Sequence, residues 1–451
     1  MKSIRRGQGM IALFVTFFVI GMFTLVWKLT TEAEFYMSNA DEKYLGKVYD
    51  KRGDVLFDGS ETIEYEENHF IDVGNIIGDA EGQMSNTLVA RNVDKLNNYS
   101  FSTGIMKDDG KAAIYTTLDH YANRKVFDTY GWQRGCAVAY NYKTGEILVC
   151  TSLPSLDITK GYSDIENFEN GTLISKTLYG TVPGSTQKVS TLAAALEIMG
   201  SETLFSKRFN CSGRYTNLTG DDIICHDAYG HGTLNIQEAI EKSCNPFFAQ
   251  LIEDKDMPLQ EVKAAFTKMG YSINEAPKNY IDIDGIICQT ASTTLEDSTE
   301  FATQWGCIGQ GDTLVSPMQL MMWQSAIANE TGKMTIPHFI DHVTNVKGET
   351  TERAETQFSD LVFSPETAET VKQILLTNGA NNYTYSIEGY TVGVKSGTAQ
   401  VKDGEEENSL LVGFVDDFRH PIAFCILIEN KNSGSLTTEY VAKTMLDALC
   451  S

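Results

Sequence analysis

The sequence predicts an α+β fold: one antiparallel sheet with an inserted helical subdomain, preceded by one transmembrane helix and a small extended β-rich module. Three observations support this prediction. Residues 10–27 are almost entirely apolar, strand-like segments lie towards both ends of the remaining chain, and a mainly helical stretch separates them. Strands from both ends can pair in one sheet, against which the intervening helices pack.

The N-terminal segment has the composition of a membrane anchor. Residues 10–27 carry no charge, and as a helix they are just long enough to cross ~30 Å of hydrocarbon. Basic residues precede the segment and acidic residues follow it, which predicts a cytoplasmic tail at 1–9 and an outer location for the rest. A cleaved signal peptide is the alternative, but the apolar run is long and no small-x-small site follows. We therefore expect a single-pass protein with its transmembrane helix at 10–28.

The next segment, residues 29–110, is predicted to be a membrane-proximal module. Two short β-rich pieces at 45–59 flank a Lys51-Arg52-Gly53 turn, a pattern typical of a hairpin. Most of residues 60–110 are polar and show no clear period. The boundary with the main domain, residues 111–451, is expected near Asp108-Asp109-Gly110.

The main domain shows alternating strand and helix patterns. Residues 364–379 form a well-marked helix with Ser364 as its N-cap, Pro365 in its first turn and Gly379 as its stop. The other predicted elements are a strand at 113–118, a helix at 120–129, a hairpin at 135–150, a mostly helical stretch at 230–330, strands within 390–401, 408–416 and 421–429, and a helix at 438–449.

The charge balance excludes one class of function. The 451 residues have a formal net charge of −24, whereas nucleic-acid binding requires basic patches. No nucleic-acid partner is expected.

The segment TVPGSTQKVSTLAAALE, residues 181–197, contains the first candidate site. A helix can begin only after Pro183-Gly184, and residues i and i+3 of a helix share a face, so Ser185 and Lys188 can touch. One interpretation is a serine N-cap beside an ordinary lysine. The other is a serine nucleophile with a lysine base, which requires a lysine whose pKa is lowered by burial or a neighbouring cation.

Two further motifs favour the catalytic interpretation. EKSCNPFFAQL places Ser243 and Asn245 at the start of an apolar helix, and YTVGVKSGTAQV places Lys395, Ser396, Gly397 and Thr398 on a strand. Each motif alone is weak, because Ser-x-Asn is common in caps and Lys-Ser-Gly-Thr in turns. Together, and in this order, they supply a second proton shuttle, a cation and backbone donors for acyl transfer.

The three motifs resemble the Ser-x-x-Lys, Ser-Asp-Asn and Lys-Thr-Gly set of penicillin-binding proteins and serine β-lactamases. The resemblance covers about residues 44–449 and also includes segments similar to conserved stretches of class B penicillin-binding proteins, at 45–59, 116–119, 140–157 and 307–320. The chain thus resembles a class B penicillin-binding protein of the compact type, with a short N-terminal module and a transpeptidase domain.

This resemblance implies a peptidoglycan D,D-transpeptidase in which the D-Ala-D-Ala end of a stem peptide acylates Ser185. Lys188 would be the base, Ser243 the proton relay to the leaving amine, and Asn245 the residue that positions Lys188 and the substrate amide. In the substrate-binding segment 395–398, Lys395 and Thr398 would hold the terminal carboxylate, and the N–H groups of Ser185 and Thr398 would form the oxyanion hole. β-Lactams would bind covalently, and catalysis would need no cofactor.

The departures from the family pattern are few. Gln187 stands where an aromatic residue is usual, and Ser175-Lys176 replace a common Asn-Arg pair; both changes are interpreted as tuning the rim of the groove. No glycosyltransferase segment is recognised, so a multi-spanning glycan polymerase in the bacterial cell membrane is the expected partner.

Two other functions remain as alternatives. A β-lactamase or β-lactam sensor needs its own base or control for deacylation, and none can be named. A catalytically degenerate assembly scaffold would be expected to have lost some of the five polar groups at Ser185, Lys188, Ser243, Asn245 and Lys395.

The cysteines suggest a second site. Cys211, Cys225, His231 and Cys244 lie within 34 positions, and Cys244 is inside the Ser-x-Asn motif. Three thiolates and an imidazole are a preferred tetrahedral zinc set, although the spacing is not that of a zinc finger. A Cys211–Cys225 disulfide is equally compatible with an outer location, and four unrelated residues are the third possibility. Zinc would require the four ligand atoms to converge within about 4 Å of each other.

Overall fold

The computed structural model describes residues 2–38, 45–60, 63–100, 104–106 and 110–450. Its α-helices are α1 (Lys2–Ser38), α2 (Gly74–Ile77), α3 (Leu88–Arg91), α4 (Val93–Leu96), α5 (His120–Tyr130), α6 (Lys188–Ser206), α7 (Ile236–Glu241), α8 (Asn245–Glu253), α9 (Leu259–Lys268), α10 (Phe301–Ile308), α11 (Pro317–Ala328), α12 (Pro365–Asn382) and α13 (Thr438–Cys450).

The strands are β1 (Lys47–Tyr49), β2 (Val55–Asp58), β3 (Tyr99–Ser100), β4 (Gly104–Ile105), β5 (Ala113–Thr116), β6 (Gly135–Asn141), β7 (Ile147–Leu153), β8 (Phe209–Cys211), β9 (Arg214–Thr216), β10 (Asp222–Ile224), β11 (Gly232–Leu234), β12 (Tyr271–Ile273), β13 (Tyr280–Ile283), β14 (Ile286–Gln289), β15 (Ala291–Thr293), β16 (Leu314–Val315), β17 (Lys333–Thr335), β18 (Ile340–Thr344), β19 (Thr350–Arg353), β20 (Phe358–Leu361), β21 (Val392–Val401), β22 (Glu406–Val415) and β23 (Ile422–Ile428).

The central sheet confirms the predicted fold class. Its order is β21-β22-β23-β6-β7, and every neighbouring pair is antiparallel. The C-terminal strands thus pair with the hairpin that begins at Gly135. β21, which carries the Lys395 motif, is an edge strand of this sheet.

Helices cover both faces of the central sheet because its strands are apolar on both sides. Val394 and Leu411 share a buried core with Met445 of α13, on one face. Val412 shares the larger core with Leu192 of α6, on the other. The helix that follows the predicted nucleophile is therefore packed beneath the sheet that carries Lys395.

A second sheet joins the membrane-proximal segment to the main domain. Its order is β19-β18-β5-β1-β2, with β1 antiparallel to β2 and parallel to β5. The predicted hairpin at 45–59 is confirmed, but it shares its sheet with strands from beyond residue 110. Residues 107–109 of the expected domain boundary lie outside the described residues.

The N-terminal helix α1 fits the predicted anchor. Residues 7–28 of this helix have a mean hydropathy of 2.4 and are not buried against the protein. Length and composition therefore suit a membrane span, and the apolar side chains are free to face lipid.

One part of the predicted helical stretch is wrong. Between α9 and α10, residues 271–293 contain four short strands, β12–β15. Asp284 (φ 53°) and Gly285 (φ 87°) form the turn between the antiparallel strands β13 and β14. Asp-Gly between β-rich runs is a strong hairpin signal that the helical interpretation overlooked.

The predicted stop at Gly379 is also wrong, because α12 continues to Asn382. A Cβ at Gly379 would lie only 1.8 Å from the Val392 carbonyl oxygen. This glycine allows close approach of α12 to β21 and does not end the helix.

Candidate active site

The turn that carries Ser185 is packed tightly against β21. Ser185 lies in a 3-10 turn, Gly184–Gln187, that leads directly into α6. Gly184 has φ 55°, and a Cβ there would lie 2.5 Å from the Thr398 carbonyl oxygen. A glycine is therefore required for the serine turn and the Lys395 strand to meet.

Lys188 faces Ser185 from the first position of α6. Its Nζ lies 3.0 Å from Ser185 Oγ, 2.7 Å from the Ser243 carbonyl oxygen and 2.7 Å from Asn245 Oδ1. The side chain is fully buried. Burial, and secondarily the charge of Lys395, lower the pKa of Lys188 well below its ordinary value. A neutral amine at this position can accept the Ser185 hydroxyl proton.

Ser243 lies between the two lysines. Its Oγ is 3.3 Å from Lys188 Nζ and 3.0 Å from Lys395 Nζ. Ser243 has φ 50°, a left-handed conformation that costs energy for a residue other than glycine. The strained backbone directs both the carbonyl and the hydroxyl oxygen of Ser243 towards Lys188. The hydroxyl group also contacts Lys395 and therefore links the amines of the two lysines.

The Lys395 motif forms the opposite wall of the site. Lys395 Nζ contacts Ser243 Oγ and lies 2.8 Å from the Ser396 carbonyl oxygen. Burial lowers the pKa of Lys395 to about 7. A Cβ at Gly397 would lie 2.7 Å from the Pro183 carbonyl oxygen, so the strand contacts the serine turn there too. Thr398 is exposed. The structure thus brings together all eight predicted catalytic and substrate-binding residues.

The cysteine cluster lies beside the Ser243 loop. The Sγ atoms of Cys211, Cys225 and Cys244 and one ring nitrogen of His231 all lie within 4.8 Å of one another. Cys225 Sγ is 3.5 Å from His231 Nδ1. All nine cysteines of the chain are free, so Cys211 and Cys225 are not joined by a disulfide here.

The thiols of Cys225 and Cys244 share a hydrogen bond that favours a thiolate at Cys225. A hydrogen bond with the Cys244 thiol lowers the pKa of Cys225, whereas that bond and burial raise the pKa of Cys244. The cluster is therefore predisposed to hold one thiolate next to a histidine, which is the form in which sulfur binds a metal ion.

A hydrogen bond connects the loop that contains Cys225, called the cysteine loop, to the catalytic groups. Asn245 Nδ2 donates to the Ile224 carbonyl oxygen at 2.9 Å, and Asn245 Oδ1 contacts Lys188 Nζ. Ile224 immediately precedes Cys225. The position of the cysteine loop therefore helps to fix the rotamer of Asn245.

Comparison with known proteins identifies the family. The model of the penicillin-binding protein transpeptidase domain matches residues 135–447, which is more than half of the chain. The chain belongs to the penicillin-binding protein transpeptidase family. The resemblance drawn from the three motifs is confirmed, and the matched region contains all of them.

Two curated relatives of this family member are similar over part of their length. Stage V sporulation protein D of Bacillus subtilis is 31% identical over 296 residues, which cover 62% of the chain and 42% of the relative. Peptidoglycan D,D-transpeptidase MrdA of Acinetobacter baumannii is 26% identical over 375 residues, which cover 74% of the chain and 53% of the relative. The chain thus matches about half or less of the length of these relatives.

Solved structures show the same fold. The D,D-transpeptidase domain of a peptidoglycan glycosyltransferase from Eggerthella lenta superposes with a TM-score of 0.75 at 22% identity, covering 90% of this chain and 98% of that one. Penicillin-binding protein A of Mycobacterium tuberculosis, solved as a ceftriaxone acyl-enzyme complex, gives 0.77 at 18% identity, covering 91% and 99%.

The family departure at Gln187 is not at the rim of the groove. Gln187 is fully buried, and its Oε1 accepts a 2.6 Å hydrogen bond from the Tyr271 hydroxyl. Tyr271 stacks on Trp323. The rings of Tyr271 and Trp323 thus lie next to position 187, where the family usually has an aromatic residue. Gln187 accepts the hydrogen bond of the Tyr271 hydroxyl.

The role of Gln310 is not apparent from the sequence. Its Nε2 donates to the Thr398 carbonyl oxygen at 3.0 Å, and its Oε1 accepts from the Gln400 backbone N–H at 3.2 Å. The side chain therefore pairs with edge strand β21 as a neighbouring strand would. Its segment, 307–320, resembles the family, but Thr398 lies 88 residues away and no local pattern indicates the contact.

Proposed function

We propose that this protein is a peptidoglycan D,D-transpeptidase that acts through an acyl-serine intermediate and is covalently inhibited by β-lactams. The observation that carries the proposal is the continuous contact Ser185–Lys188–Ser243–Lys395 in a buried site. Family membership supports it, as do relatives named peptidoglycan D,D-transpeptidase.

The geometry supports the following acylation step. Neutral Lys188 takes the Ser185 proton as Oγ attacks the carbonyl carbon of the penultimate D-Ala. The tetrahedral intermediate collapses by breaking the bond to the terminal D-Ala, whose nitrogen receives a proton from Lys188 through Ser243. Lys188 is thereby neutral again, and an acceptor amine of a neighbouring strand then takes the acyl group by the reverse sequence.

Two further groups support the charges that develop. We propose that the backbone N–H groups of Ser185 and Thr398 stabilise the oxyanion, a contribution of about 3 kcal/mol per donor in comparable sites. Lys395, assisted by Thr398, binds the terminal carboxylate. A bound carboxylate stabilises the protonated form of Lys395, and that charge in turn keeps Lys188 neutral.

Labelling with a fluorescent penicillin tests the assignment. The full-length protein in detergent should acquire one adduct, on the tryptic peptide that contains Ser185, and Ser185→Ala should abolish it. Release of D-Ala from a pentapeptide substrate should be lost in the same variant. Adduct formation on Ser185→Ala would refute the choice of nucleophile.

We also propose zinc for the cysteine cluster. Tetrahedral zinc at ~2.3 Å from sulfur needs ligand atoms ~3.8 Å apart, so the cluster would contract by about 1 Å at most from its present 4.8 Å limit. Bound there, the ion would lock the loop before Cys225 against the Ser243 loop. It would have a structural role, with no part in the acyl transfer itself.

Metal content distinguishes zinc from the disulfide. The purified full-length protein should contain about one zinc per chain, and Cys211→Ser should lose it. Cys450→Ser is the matched control, because that thiol lies outside the cluster and should retain the metal. A zinc-free protein whose Cys211 and Cys225 are linked under non-reducing conditions would show the disulfide instead.

We propose that α1 is a single-pass anchor with the transpeptidase domain on the outer side of the bacterial cell membrane. The exposed apolar helix supports the anchor, and the basic residues that precede it favour this orientation.

We further propose that α1 contacts a multi-spanning glycan polymerase. Replacing residues 7–28 with an unrelated span should keep the protein in the membrane but reduce co-purification of that partner and function in cells; unchanged co-purification would contradict the contact.

A further inference from the structure

Lys431 lies close to the predicted carboxylate-binding strand although it is distant from every catalytic motif in sequence. It begins the 3-10 turn Lys431–Ser433 that follows β23. Its ammonium is 3.0 Å from Glu407 Oε2 and 3.5 Å from Thr398 Oγ1. The cation therefore reaches across β22 to the edge strand of the active site.

The backbone before Lys431 is fixed by local hydrogen bonds. Asn430 has φ 44°, and its N–H donates to Asn408 Oδ1 at 3.1 Å. The carbonyl oxygen of Asn430 accepts from the Ser433 N–H at 2.9 Å and from its hydroxyl at 2.7 Å. The direction in which Lys431 leaves the sheet is thus set by the turn, which lowers the entropy cost of keeping it near Thr398.

The contact with Lys431 determines whether the Thr398 hydroxyl donates or accepts each of its hydrogen bonds. An ammonium group has only donors, so Thr398 Oγ1 accepts from Lys431 and keeps its own proton for another acceptor. A hydroxyl that accepts from a cation is polarised and becomes a better donor. A substrate carboxylate in the groove is an acceptor of the required kind.

We propose that Lys431 is a positioning residue of the carboxylate subsite, which orients the Thr398 hydroxyl and adds positive charge beside the anionic end of the acyl donor. The inference rests on the proposed function. Glu407 opposes this effect, because it partly neutralises Lys431 in the free enzyme. An ordinary surface ion pair between Lys431 and Glu407 is the competing explanation, and such pairs contribute little.

Acylation rates with charged and neutral ligands separate the two explanations. The second-order rate of acylation of the full-length protein is measured with penicillin G and with its neutral methyl ester. Lys431→Met should slow acylation by penicillin G about tenfold and by the ester less than twofold, since a charge-assisted contact is lost only with the anion. Lys431→Arg should restore most of the rate, and Glu407→Gln should raise the penicillin G rate.

Lys402→Met is the matched control. Lys402 follows the same edge strand and pairs with Glu406 at 2.6 Å, but it is 63% exposed. Its loss removes the same charge and should change neither rate by more than twofold. In a Thr398→Ala background, Lys431→Met should cause a smaller further loss, because the hydroxyl that Lys431 orients is gone and only its charge still acts.

Three results would overturn the proposal: equal slowing with acid and ester, a Lys431→Met effect no larger than that of Lys402→Met, or an undiminished effect in the Thr398→Ala background. These outcomes leave the proposed function standing, because Ser185 would still be acylated. Absence of any Ser185 adduct in the unsubstituted protein would overturn both.

Discussion

Lys395→Met should make the protein more stable and less active. Lys395 is fully buried, and burial lowers its pKa from 10.5 to about 7. In the unfolded chain the ammonium is fully hydrated and keeps its ordinary pKa. Between pH 7 and 10.5 the unfolded state therefore binds more protons than the folded state, so this lysine makes the free energy of unfolding rise with pH.

The size of the effect follows from the two pKa values. Holding Lys395 in the folded protein costs about 4 kcal/mol at pH 7 and about 2 kcal/mol at pH 9. Methionine removes this cost but also removes the hydrogen bonds to Ser243 and the Ser396 carbonyl oxygen, worth about 1 kcal/mol each. The net gain is about 2 kcal/mol at pH 7 and close to zero at pH 9.

Thermal unfolding of the full-length protein in detergent measures this difference. The melting temperature of Lys395→Met should exceed that of the unsubstituted protein by roughly 5 °C at pH 7, and the gap should close by pH 9. Penicillin acylation of the variant should be slower by orders of magnitude.

Lys372→Met is the control, because Lys372 is also a buried lysine but its pKa is raised where that of Lys395 is lowered. Burial works against the charge of Lys372, but Glu330 and Asp416 outweigh it and raise the pKa of this lysine. Its replacement should therefore lower the melting temperature at both pH values. A Lys395→Met protein no more stable than the original at pH 7, or a gap independent of pH, would refute the reasoning.

Two further predictions concern pH and packing. The acylation rate constant for penicillin G should fall above pH 7, by up to tenfold per unit, as free Lys395 loses its proton, while the rate for the neutral methyl ester should lack this alkaline decline; parallel pH profiles for acid and ester would contradict the role of Lys395. Gly379→Ala should lower the melting temperature although alanine favours helices, because its Cβ would meet the Val392 carbonyl oxygen at 1.8 Å; an unchanged or raised melting temperature would show that β21 can move away.

The catalytic motifs could be predicted because their chemistry is local. The Ser185–Lys188 pairing depends on one helical turn, and the strand around Lys395 is apolar enough to be recognised. The meeting of Ser243 with both lysines is not a local property, and only the family resemblance indicated it.

Other features depend on tertiary contacts that the spacing of residues in the sequence does not predict. Gly379 has the sequence context of a helix stop, but a glycine is needed there because β21 approaches α12 closely. Gln310 and Lys431 reach Thr398 only because of how distant segments are placed around the sheet. The convergence of Cys211 and Cys225 with Cys244 likewise requires the loop between β8 and β11 to fold back on the Ser243 loop, which their sequence spacing leaves undetermined.

The second sheet has a mechanical consequence. With α1 as the proposed anchor, a pull from the membrane would reach the second sheet at Leu45 and run along β1. Because β1 pairs with β2 on one side and with β5 on the other, tension along it would load both rows of backbone hydrogen bonds in shear. β5 leads within four residues into α5, which packs with α13 on the face of the central sheet opposite α6. If α1 is the proposed anchor, tension on it would thus pass to the central sheet through paired strands rather than through a single unpaired segment.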